Sequence, residues 1–474
     1  MGKRESALVK NTAVLSFGAL CTKGIMFIMT PLITRWVSTS DYGTFDLVLS
    51  YVTLLVPILT LASGEAVFRF LLDARDNVSK KTIISTAFTI NIIGIVFAAC
   101  ACCVFVFTSN GNAVVISAMF CYLIVEILFS FCQMTLRGMK RLKDYTLSGI
   151  IFVVGLSVGV LYFVFFNRLG LIGLFCAYIT GDMVSIPFMI FQSKMWRYID
   201  VKAIDFSCGK KIVSYSAPML PNSISWWIVG VSDRTIVSLY LGTSMNAVLA
   251  VAHKIPNLCQ TLFNVFHYSW QQSATESMND ADRDAYYSNT MNNMLKVVIS
   301  ICIVVLSFNY WFFKLLFSEE YLCGSYQVPI MVCAIVFSML AQFIGGIYVA
   351  QKQSKKNGGT TVIAAVANVV CHIMLVRLIG LYAASLSTLV AYALLFAIRY
   401  VDIRKICELK FNKQTKICFV IFAYFVGTNY IHNEILSAIN VFIACVVFGV
   451  LNYKQIVTML SKILKKRAYG SIEK

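Results

Sequence analysis

Charged residues are scarce in this chain of 474 residues, in which aspartate, glutamate, lysine and arginine together make up 13%. Soluble domains carry about 25% of these residues. The sequence also lacks a polar stretch long enough to fold alone; the longest lie near 194–211, 271–290 and 403–416. These absences exclude a soluble globular protein, because 59% of the residues are apolar and no water-soluble fold of this length can bury them all.

The chain instead has long apolar runs, each close to the ~20 residues that cross a bilayer as an α-helix. Backbone polar groups in lipid must be bonded internally, so such runs form helices or a closed barrel. Barrel strands would alternate polar and apolar residues, and these runs do not. The sequence therefore predicts an all-α integral membrane protein with about fourteen transmembrane helices. They cover 12–36, 45–69, 83–107, 113–136, 146–166, 171–193, 212–241, 245–270, 291–316, 327–350, 360–380, 382–402, 415–430 and 435–452.

The first apolar run is too long for the core of a signal peptide, so we expect it to be retained as a span. Of the 40 lysines and arginines, only four fall at span ends assigned to the outside: Arg35, Arg168, Lys314 and Arg377. Basic residues collect on the cytoplasmic side of a membrane, so both termini are predicted to be cytoplasmic. The net charge of +18 then faces anionic membrane lipids and needs no nucleic-acid partner.

Cysteine is plentiful, but most of the 16 cysteines lie inside apolar runs, where they act as small apolar side chains. Only Cys323 falls in a predicted external loop, so a disulfide framework is not expected. Cys100, Cys102 and Cys103 lack a nearby histidine or second cysteine pair, and no metal site is predicted there.

The longest inner connection, near 194–211, divides the predicted spans into six, six and a final pair. We therefore predict an N-terminal six-helix lobe at 1–205 and a C-terminal six-helix lobe at 206–410. A last helix pair and a basic cytoplasmic tail would occupy 411–474. Each half would begin inside, so any repeat of the two halves would be parallel.

Two stretches of the sequence carry a family resemblance. The first is Thr-Pro-Leu-Ile-Thr-Arg at 30–35, followed by Asp-Tyr-Gly-Thr-Phe-Asp at 41–46. The second, at 214–238, contains Ser-Tyr-Ser-Ala-Pro-Met-Leu-Pro-Asn-Ser-Ile-Ser-Trp-Trp-Ile and then Ser-Asp-Arg-Thr-Ile-Val. Together they resemble bacterial polysaccharide flippases, the Wzx-type transporters of the MATE-related MOP superfamily. His253-Lys254-Ile-Pro and Trp270-Gln271 continue the pattern.

The resemblance implies two six-helix lobes around a central cavity that opens alternately to each side. It also implies export of undecaprenyl-pyrophosphate-linked oligosaccharides across the bacterial plasma (inner) membrane for surface polysaccharide biosynthesis. Glycosyltransferases and a polysaccharide polymerase would then be partners, and the chain itself would not be an enzyme. The sequence has no P-loop motif, so ATP is not expected to drive transport directly. No cofactor is expected, and coupling to Na⁺ or H⁺ stays open.

Charged side chains inside predicted spans give independent support, because each costs on the order of 2.5–3.5 kcal/mol at mid-helix and normally faces a bundle interior or a wet cavity. The basic ones are candidate pyrophosphate-binding groups: Lys23, Arg69, Arg234 and Lys254. Arg234 is favoured because a guanidinium stays charged and grips phosphate bidentately. The lysine stems of Lys23 and Lys254 can instead reach toward the membrane surface.

Five other titratable side chains within spans are candidates for cation coupling or for structural ion pairs: Glu65, Glu126, Asp182, Asp233 and His253. Glu65 and Arg69 lie four residues apart and can neutralise each other on one helix face. Asp233 points away from its neighbour Arg234, so a pair with Lys254 or Lys23 is the structural alternative. His253 is either a pH sensor or a hydrogen-bonded structural histidine.

Pro218 and Pro221 are expected to bend the seventh span, either as a hinge that gates the cavity or as a static kink. Trp226 and Trp227 follow this bend. Their rings can stack on sugars, and packing or lipid contact is the alternative.

Other functions stay open at this level. A cation-coupled drug exporter of the same superfamily would favour an acidic cavity, against which the basic residues argue. A membrane glycosyltransferase or polymerase would need a sizeable external loop, yet the predicted loops at 37–44, 108–112 and 241–245 hold one charge, Asp41. A scramblase-like or purely structural role is the remaining alternative.

Overall fold

The computed structural model describes residues 3–108, 113–351 and 353–470, without the side chains of 3–17, 19, 222, 226, 229, 265, 268, 354 and 454–470. Within these ranges the chain forms helices and no β-strand, as predicted. The α-helices are α1 (Lys3–Trp36), α2 (Thr39–Leu59), α3 (Ser63–Asp73), α4 (Asn77–Thr108), α5 (Ala113–Gly138), α6 (Leu142–Gly159), α7 (Gly170–Ser193), α8 (Phe206–Ser216), α9 (Leu220–Leu241), α10 (Thr243–Ala252), α11 (Lys254–Glu276), α12 (Arg283–Leu316), α13 (Val328–Ala350), α14 (Ser354–Ile379), α15 (Tyr382–Ile403), α16 (Lys413–Thr428) and α17 (Glu434–Gly470). Short 3₁₀ turns lie at Met195–Arg197, Val201–Ala203, Ala217–Met219 and Glu319–Tyr326, and a π-helical segment at Val160–Phe166 continues α6.

Each predicted span corresponds to one helix or to two or three consecutive helical segments. Ten helices of the described part are long and apolar enough to cross a membrane, which makes the chain a multi-pass membrane protein. The four predicted spans outside this group are α1, α8 with α9, α10 with α11, and α16. The first three of these carry the basic residues proposed to bind the substrate, Lys23, Arg234 and Lys254.

The helices form two compact units. The first contains the described part of Met1–Val251 together with His372–Leu381, and the second contains Ala252–Cys371 together with the described part of Tyr382–Lys474. The first unit continues past 205 because α9 packs on α2 and α10 on the start of α2. The predicted lobes with a boundary at 205/206, and a cavity between them, stay predictions.

The predicted continuous span 45–69 is wrong at one point, because α2 ends at Leu59 and α3 begins at Ser63. Leu61 and Ala62 adopt left-handed backbone conformations, both with φ of 51°. Such residues cost about 1–2 kcal/mol each and interrupt the helical hydrogen bonds. The carbonyl of Leu61, freed from the helix ladder, accepts a hydrogen bond from the hydroxyl of Ser216 at 2.6 Å.

The connection that leads into α8 is fixed to α4. The Ser85 hydroxyl donates to the carbonyl of Tyr198 at 2.8 Å and accepts from the backbone N–H of Asp200 at 2.9 Å. Lys81 bonds the carboxylate of Asp200 at 2.6 Å, and this hydrogen bond lowers the pKa of Asp200. These contacts set the start of α8 and hence the path of α9.

In the second unit, Arg399 is almost wholly buried within α15. Its guanidinium donates to the carbonyls of Ala341 in α13 and Asn357 in α14, at 2.8 and 2.9 Å. The hydroxyls of Thr360 and Thr361 accept two further bonds at 3.0 Å. Arg399 therefore joins three helices through neutral oxygens, which satisfy the donors of its buried charge.

The start of α2 lies against the start of α10 at Gly43. A Cβ atom added to Gly43 would lie 1.8 Å from the carbonyl oxygen of Thr243. The backbone carbonyl of Gly43 also accepts a hydrogen bond from the side-chain amide of Asn246 at 2.8 Å. Glycine is needed here because two helix backbones touch.

We expect Gly43→Ala to lower the thermal unfolding temperature of the detergent-purified protein, measured by tryptophan fluorescence. The added methyl group would push α10 away from α2 and cost on the order of 1–3 kcal/mol. Gly230→Ala is the matched control, since nothing lies within 4 Å of a Cβ at that exposed position of α9. Equal unfolding temperatures for Gly43→Ala and wild type would contradict the close contact.

Candidate functional site

Arg234 projects from α9 onto one face of α2. Its Nε lies 3.1 Å from Oδ2 of Asp46, and its Nη1 donates to the hydroxyl of Ser50 at 2.7 Å. Asp46 and Ser50 are four residues apart, so one turn of α2 presents both acceptors on the same side. The two ionic side chains are mostly buried, with 21% of the arginine and 11% of the aspartate side chain exposed.

Two turns earlier on α9, Trp227 strengthens the same contact. Its indole N–H donates to the backbone carbonyl of Ser50 at 2.7 Å, and its ring stacks on Tyr51 with centroids 5.9 Å apart. Tyr51 in turn donates a hydrogen bond to the hydroxyl of Thr235 at 3.1 Å. Trp227 thus has a packing role, and its predicted sugar contact stays a prediction. The side chain of Trp226 lies outside the described residues.

Asp233, the neighbour of Arg234, faces α14. Its Oδ1 lies 2.8 Å from Nδ1 of His372, and both side chains are almost wholly buried. Lys254 and Lys23 were the partners considered for Asp233 from the sequence, which does not predict the pair with His372. Adjacent helical residues point in different directions, so α9 is held by Arg234 on α2 and by Asp233 on α14.

Glu65 and Arg69, which could have neutralised each other on α3, are not joined by an ion pair within the described residues. Arg69 instead bonds Asp73, four residues further along, with Nη1 2.8 Å from Oδ1. Glu65 is exposed in the first turn of α3. Glu65 lies four residues before Arg69 and Asp73 lies four residues after it, so both have the spacing of an ion pair on one helix face. In the structure Arg69 pairs with Asp73. Lys23 is exposed midway along α1.

The remaining predicted residues lie at helix interruptions. Pro218 sits in the 3₁₀ turn between α8 and α9, and Pro221 is the second residue of α9. The α-helix is therefore interrupted at the two prolines, and a hinge role for them stays a prediction. In the second unit, Lys254 is the first residue of α11, and His253 lies at the break that precedes it.

Glu126 of α5 and Asp182 of α7 lie close enough to interact electrostatically inside the first unit. Asp182 is wholly buried. The phenol of Tyr122 lies 3.4 Å from a carboxylate oxygen of Glu126. The structure therefore joins two candidate coupling residues that sequence analysis had considered separately.

Asp46, Ser50 and His372 belong to the site but were not predicted from the sequence. Asp46 ends the 41–46 motif, and Ser50 follows one helical turn later. The signal for Asp46 was its position inside a predicted span, where an unpaired carboxylate is costly. The pairing itself joins residues far apart in the chain and depends on packing that periodicity does not reveal.

The helices form an all-α membrane fold that solved structures share. One solved structure, described as "Lipid II flippase MurJ, inward closed conformation", is similar at a TM-score of 0.72 and 13% identity, covering 94% of this chain and 100% of that one. An inward-facing multidrug resistance MATE family transporter of the MOP superfamily is similar at 0.63 and 14% identity, covering 81% and 94%. A MATE structure in the straight conformation matches at 0.57 and 15% identity, covering 85% and 97%.

Residues 8–270 match the model of the polysaccharide biosynthesis protein family. The chain belongs to that family and has the fold shared by these MOP-superfamily transporters. No curated protein matches the sequence. The family match spans both motifs and therefore includes Asp46 and Arg234.

We expect Asp46→Asn and Arg234→Gln each to destabilise the detergent-purified protein more than the double variant does. Each single change leaves one mostly buried charge without its partner, at a cost of about 3–5 kcal/mol. Chemical unfolding of the three variants and wild type forms a double-mutant cycle.

The exposed pair of Arg69 and Asp73 is the control for this cycle. Arg69→Gln and Asp73→Asn should each change stability by less than about 1 kcal/mol, because water screens that pair. Additive losses at Asp46 and Arg234, similar to those of the control pair, would contradict the buried ion pair.

Proposed function

We propose that this protein flips undecaprenyl-pyrophosphate-linked oligosaccharide repeat units outward across the bacterial plasma membrane for surface polysaccharide biosynthesis. Family membership supports the polysaccharide pathway, and the neighbouring fold includes a protein described as a lipid II flippase. The polyprenyl tail can stay in lipid throughout. The charged head group cannot cross about 30 Å of hydrocarbon unaided.

One observation carries the proposal. The guanidinium of Arg234 is held by α2 on one side, and its Nη2 is not bonded on the other side. Asp46 and Ser50 engage Nε and Nη1. Within the described residues, neither N–H of Nη2 donates a hydrogen bond. A phosphate oxygen can accept these free donors, and bonds between ionised partners are roughly twice as strong as neutral ones. Holding the guanidinium in place beforehand lowers the entropy cost of binding.

The other basic candidates, Lys23, Arg69 and Lys254, would add positive charge along the path of the head group. Alternating access of the resulting cationic cavity would carry it across. The distribution of lysine and arginine along the sequence supports cytoplasmic N and C termini. Cytoplasmic glycosyltransferases would supply the substrate, and an external polymerase would consume it.

Arg234→Ala should abolish surface polysaccharide export in cells, measured per amount of the variant that is present in the membrane. The variant loses the only charged donor at the α2–α9 contact within the described residues. Arg234→Lys should retain partial export, at least about tenfold reduced, because an ammonium cannot bond Asp46, Ser50 and phosphate in the same planar arrangement. Export is measured as cell-surface polysaccharide normalised to membrane protein.

Arg377→Ala is the matched control. Arg377 is an exposed arginine of α14, 5.2 Å from the ring centre of Tyr240 and outside the proposed site. This variant should export normally. Normal export by Arg234→Ala, at an equal protein level, would overturn the role assigned to Arg234.

A further inference from the structure

Helix α11 of the second unit carries a stripe of polar side chains without a fixed charge. The members of this amide stripe are Asn257, Gln260, Asn264, His267 and Gln271. They are spaced three and four residues apart, so they share one face of the helix within an arc of about 80°. At a rise of about 1.5 Å for each residue, the stripe is about 21 Å long. This is about two-thirds of the hydrocarbon thickness of a bilayer.

A different face of α11 packs inside the second unit. The buried side chains on that face include Cys259, Phe263, Trp270 and Ala274. The indole of Trp270 donates to the backbone carbonyl of Phe343 in α13 at 2.8 Å and stacks on its ring, with centroids 4.0 Å apart. A Cβ added to Gly346 of α13 would lie 2.8 Å from the same indole. This close packing fixes the rotation of α11, with Asn257 and Asn264 of the stripe exposed.

The amide stripe keeps much of its hydrogen-bonding capacity unused. Nε2 of Gln260 donates to Oδ1 of Asn264 at 2.8 Å, and Nε2 of Gln271 lies 2.9 Å from Nε2 of His267. Within the described residues, Asn257 is bonded through its backbone alone, and the buried Nδ1 of His267 has no partner. Each carboxamide offers two N–H donors and a carbonyl with two lone pairs. Most of these donors and acceptors are therefore available to a ligand.

The position of the stripe along a membrane helix restricts what can surround it. The helix is 23 residues long, yet it is not among the ten helices of the described part that are apolar enough to cross a membrane. An amide without a hydrogen bond is costly in hydrocarbon, so polar residues within a span face water or a polar ligand. The charged residues of α11, Lys254 and Glu276, are its first and last residues, and the stripe between them has no fixed charge.

We propose that the amide stripe of α11 binds the oligosaccharide of the lipid-linked substrate. A sugar hydroxyl both donates and accepts hydrogen bonds, and each carboxamide can do both in return. A phosphate would instead require cationic donors, and a metal cation would require several oxygen ligands with carboxylates among them. The lack of fixed charge therefore favours a neutral polyhydroxyl ligand. This inference rests on the proposed function, because the oligosaccharide belongs to that substrate.

The regular spacing of the stripe also suits a ligand that moves along the helix. Successive members lie about 5 Å apart along the helix axis. A sugar that leaves one side chain therefore reaches the next before its hydroxyl groups lose all their partners. In this way the stripe replaces the water around the oligosaccharide over most of the hydrocarbon thickness.

Binding of two lipids to the detergent-purified protein, measured by microscale thermophoresis, tests the assignment. One lipid is bare undecaprenyl pyrophosphate, and the other is the same carrier with the repeat-unit oligosaccharide, extracted from the native cells. Wild type should bind the glycosylated lipid more tightly. Asn257→Leu, Gln260→Met and Asn264→Leu should each weaken its binding by about two- to tenfold, the range for one neutral hydrogen bond, and leave binding of the bare lipid unchanged.

Gln272→Met is the matched control. Gln272 is an exposed glutamine of the same helix that bonds Glu276 and lies outside the stripe. This variant should bind both lipids as wild type does. Apolar side chains suit a membrane helix, and retained binding of the bare lipid shows that a stripe variant is folded.

Three outcomes would overturn the inference. They are equal binding of the two lipids by wild type, unchanged binding of the glycosylated lipid by all three stripe variants, and a loss in those variants that is equal for both lipids. The proposed function is tested separately by Arg234→Ala, which should weaken binding of both lipids per amount of folded protein. If Arg234→Ala binds both lipids normally, the proposed function itself fails, whatever the stripe variants show.

Discussion

The ion pair between Arg234 and Asp46 holds α9 against α2 and fixes the direction of the guanidinium. An isolated charge at this depth would be costly, and the carboxylate together with the Ser50 hydroxyl offsets that cost. Trp227 bonds the same turn of α2, so the two helices are joined at two levels. The free N–H groups of Arg234 and the alignment of α9 both depend on this contact.

The two sequence stretches that resemble the flippase family meet at this contact. The 41–46 motif supplies Gly43, where α10 lies against the backbone, and Asp46, which bonds Arg234. The 214–238 stretch supplies Trp227, Asp233 and Arg234. Residues almost two hundred positions apart thus form one structural element, which gives a physical reason for both motifs.

Composition and the length of apolar runs were enough to predict the all-α membrane fold, because lipid leaves a buried backbone few alternatives. They were not enough to predict the interruption at Leu61 and Ala62. Neither residue is a glycine or proline, and the freed carbonyl is satisfied by Ser216, far along the chain. Apolar patterns describe which residues leave water, and they do not describe where two helices touch.

Only part of the candidate site could be predicted, for the same reason. A charge inside an apolar run is visible in the sequence, and this led to Arg234, Asp233, Glu126 and Asp182. Their partners are not visible, because each is chosen by tertiary packing: Asp46 for Arg234, His372 for Asp233, and Asp73 for Arg69. Where two partners satisfy the helical spacing equally, as Glu65 and Asp73 do for Arg69, local sequence cannot decide between them.

Exchange of the two charges at the α2–α9 contact tests the central claim most directly. The double variant Asp46→Arg with Arg234→Asp keeps one pair of opposite charges between the helices but moves the cation from α9 to α2. Transbilayer movement of a fluorescent polyprenyl-pyrophosphate-linked oligosaccharide is measured in proteoliposomes, beside the unfolding temperature. The account predicts stability close to wild type without transport, because the cation no longer has the position that binds the head group. Transport at the wild-type rate would show that the pair serves only to hold the helices together, and would contradict the account.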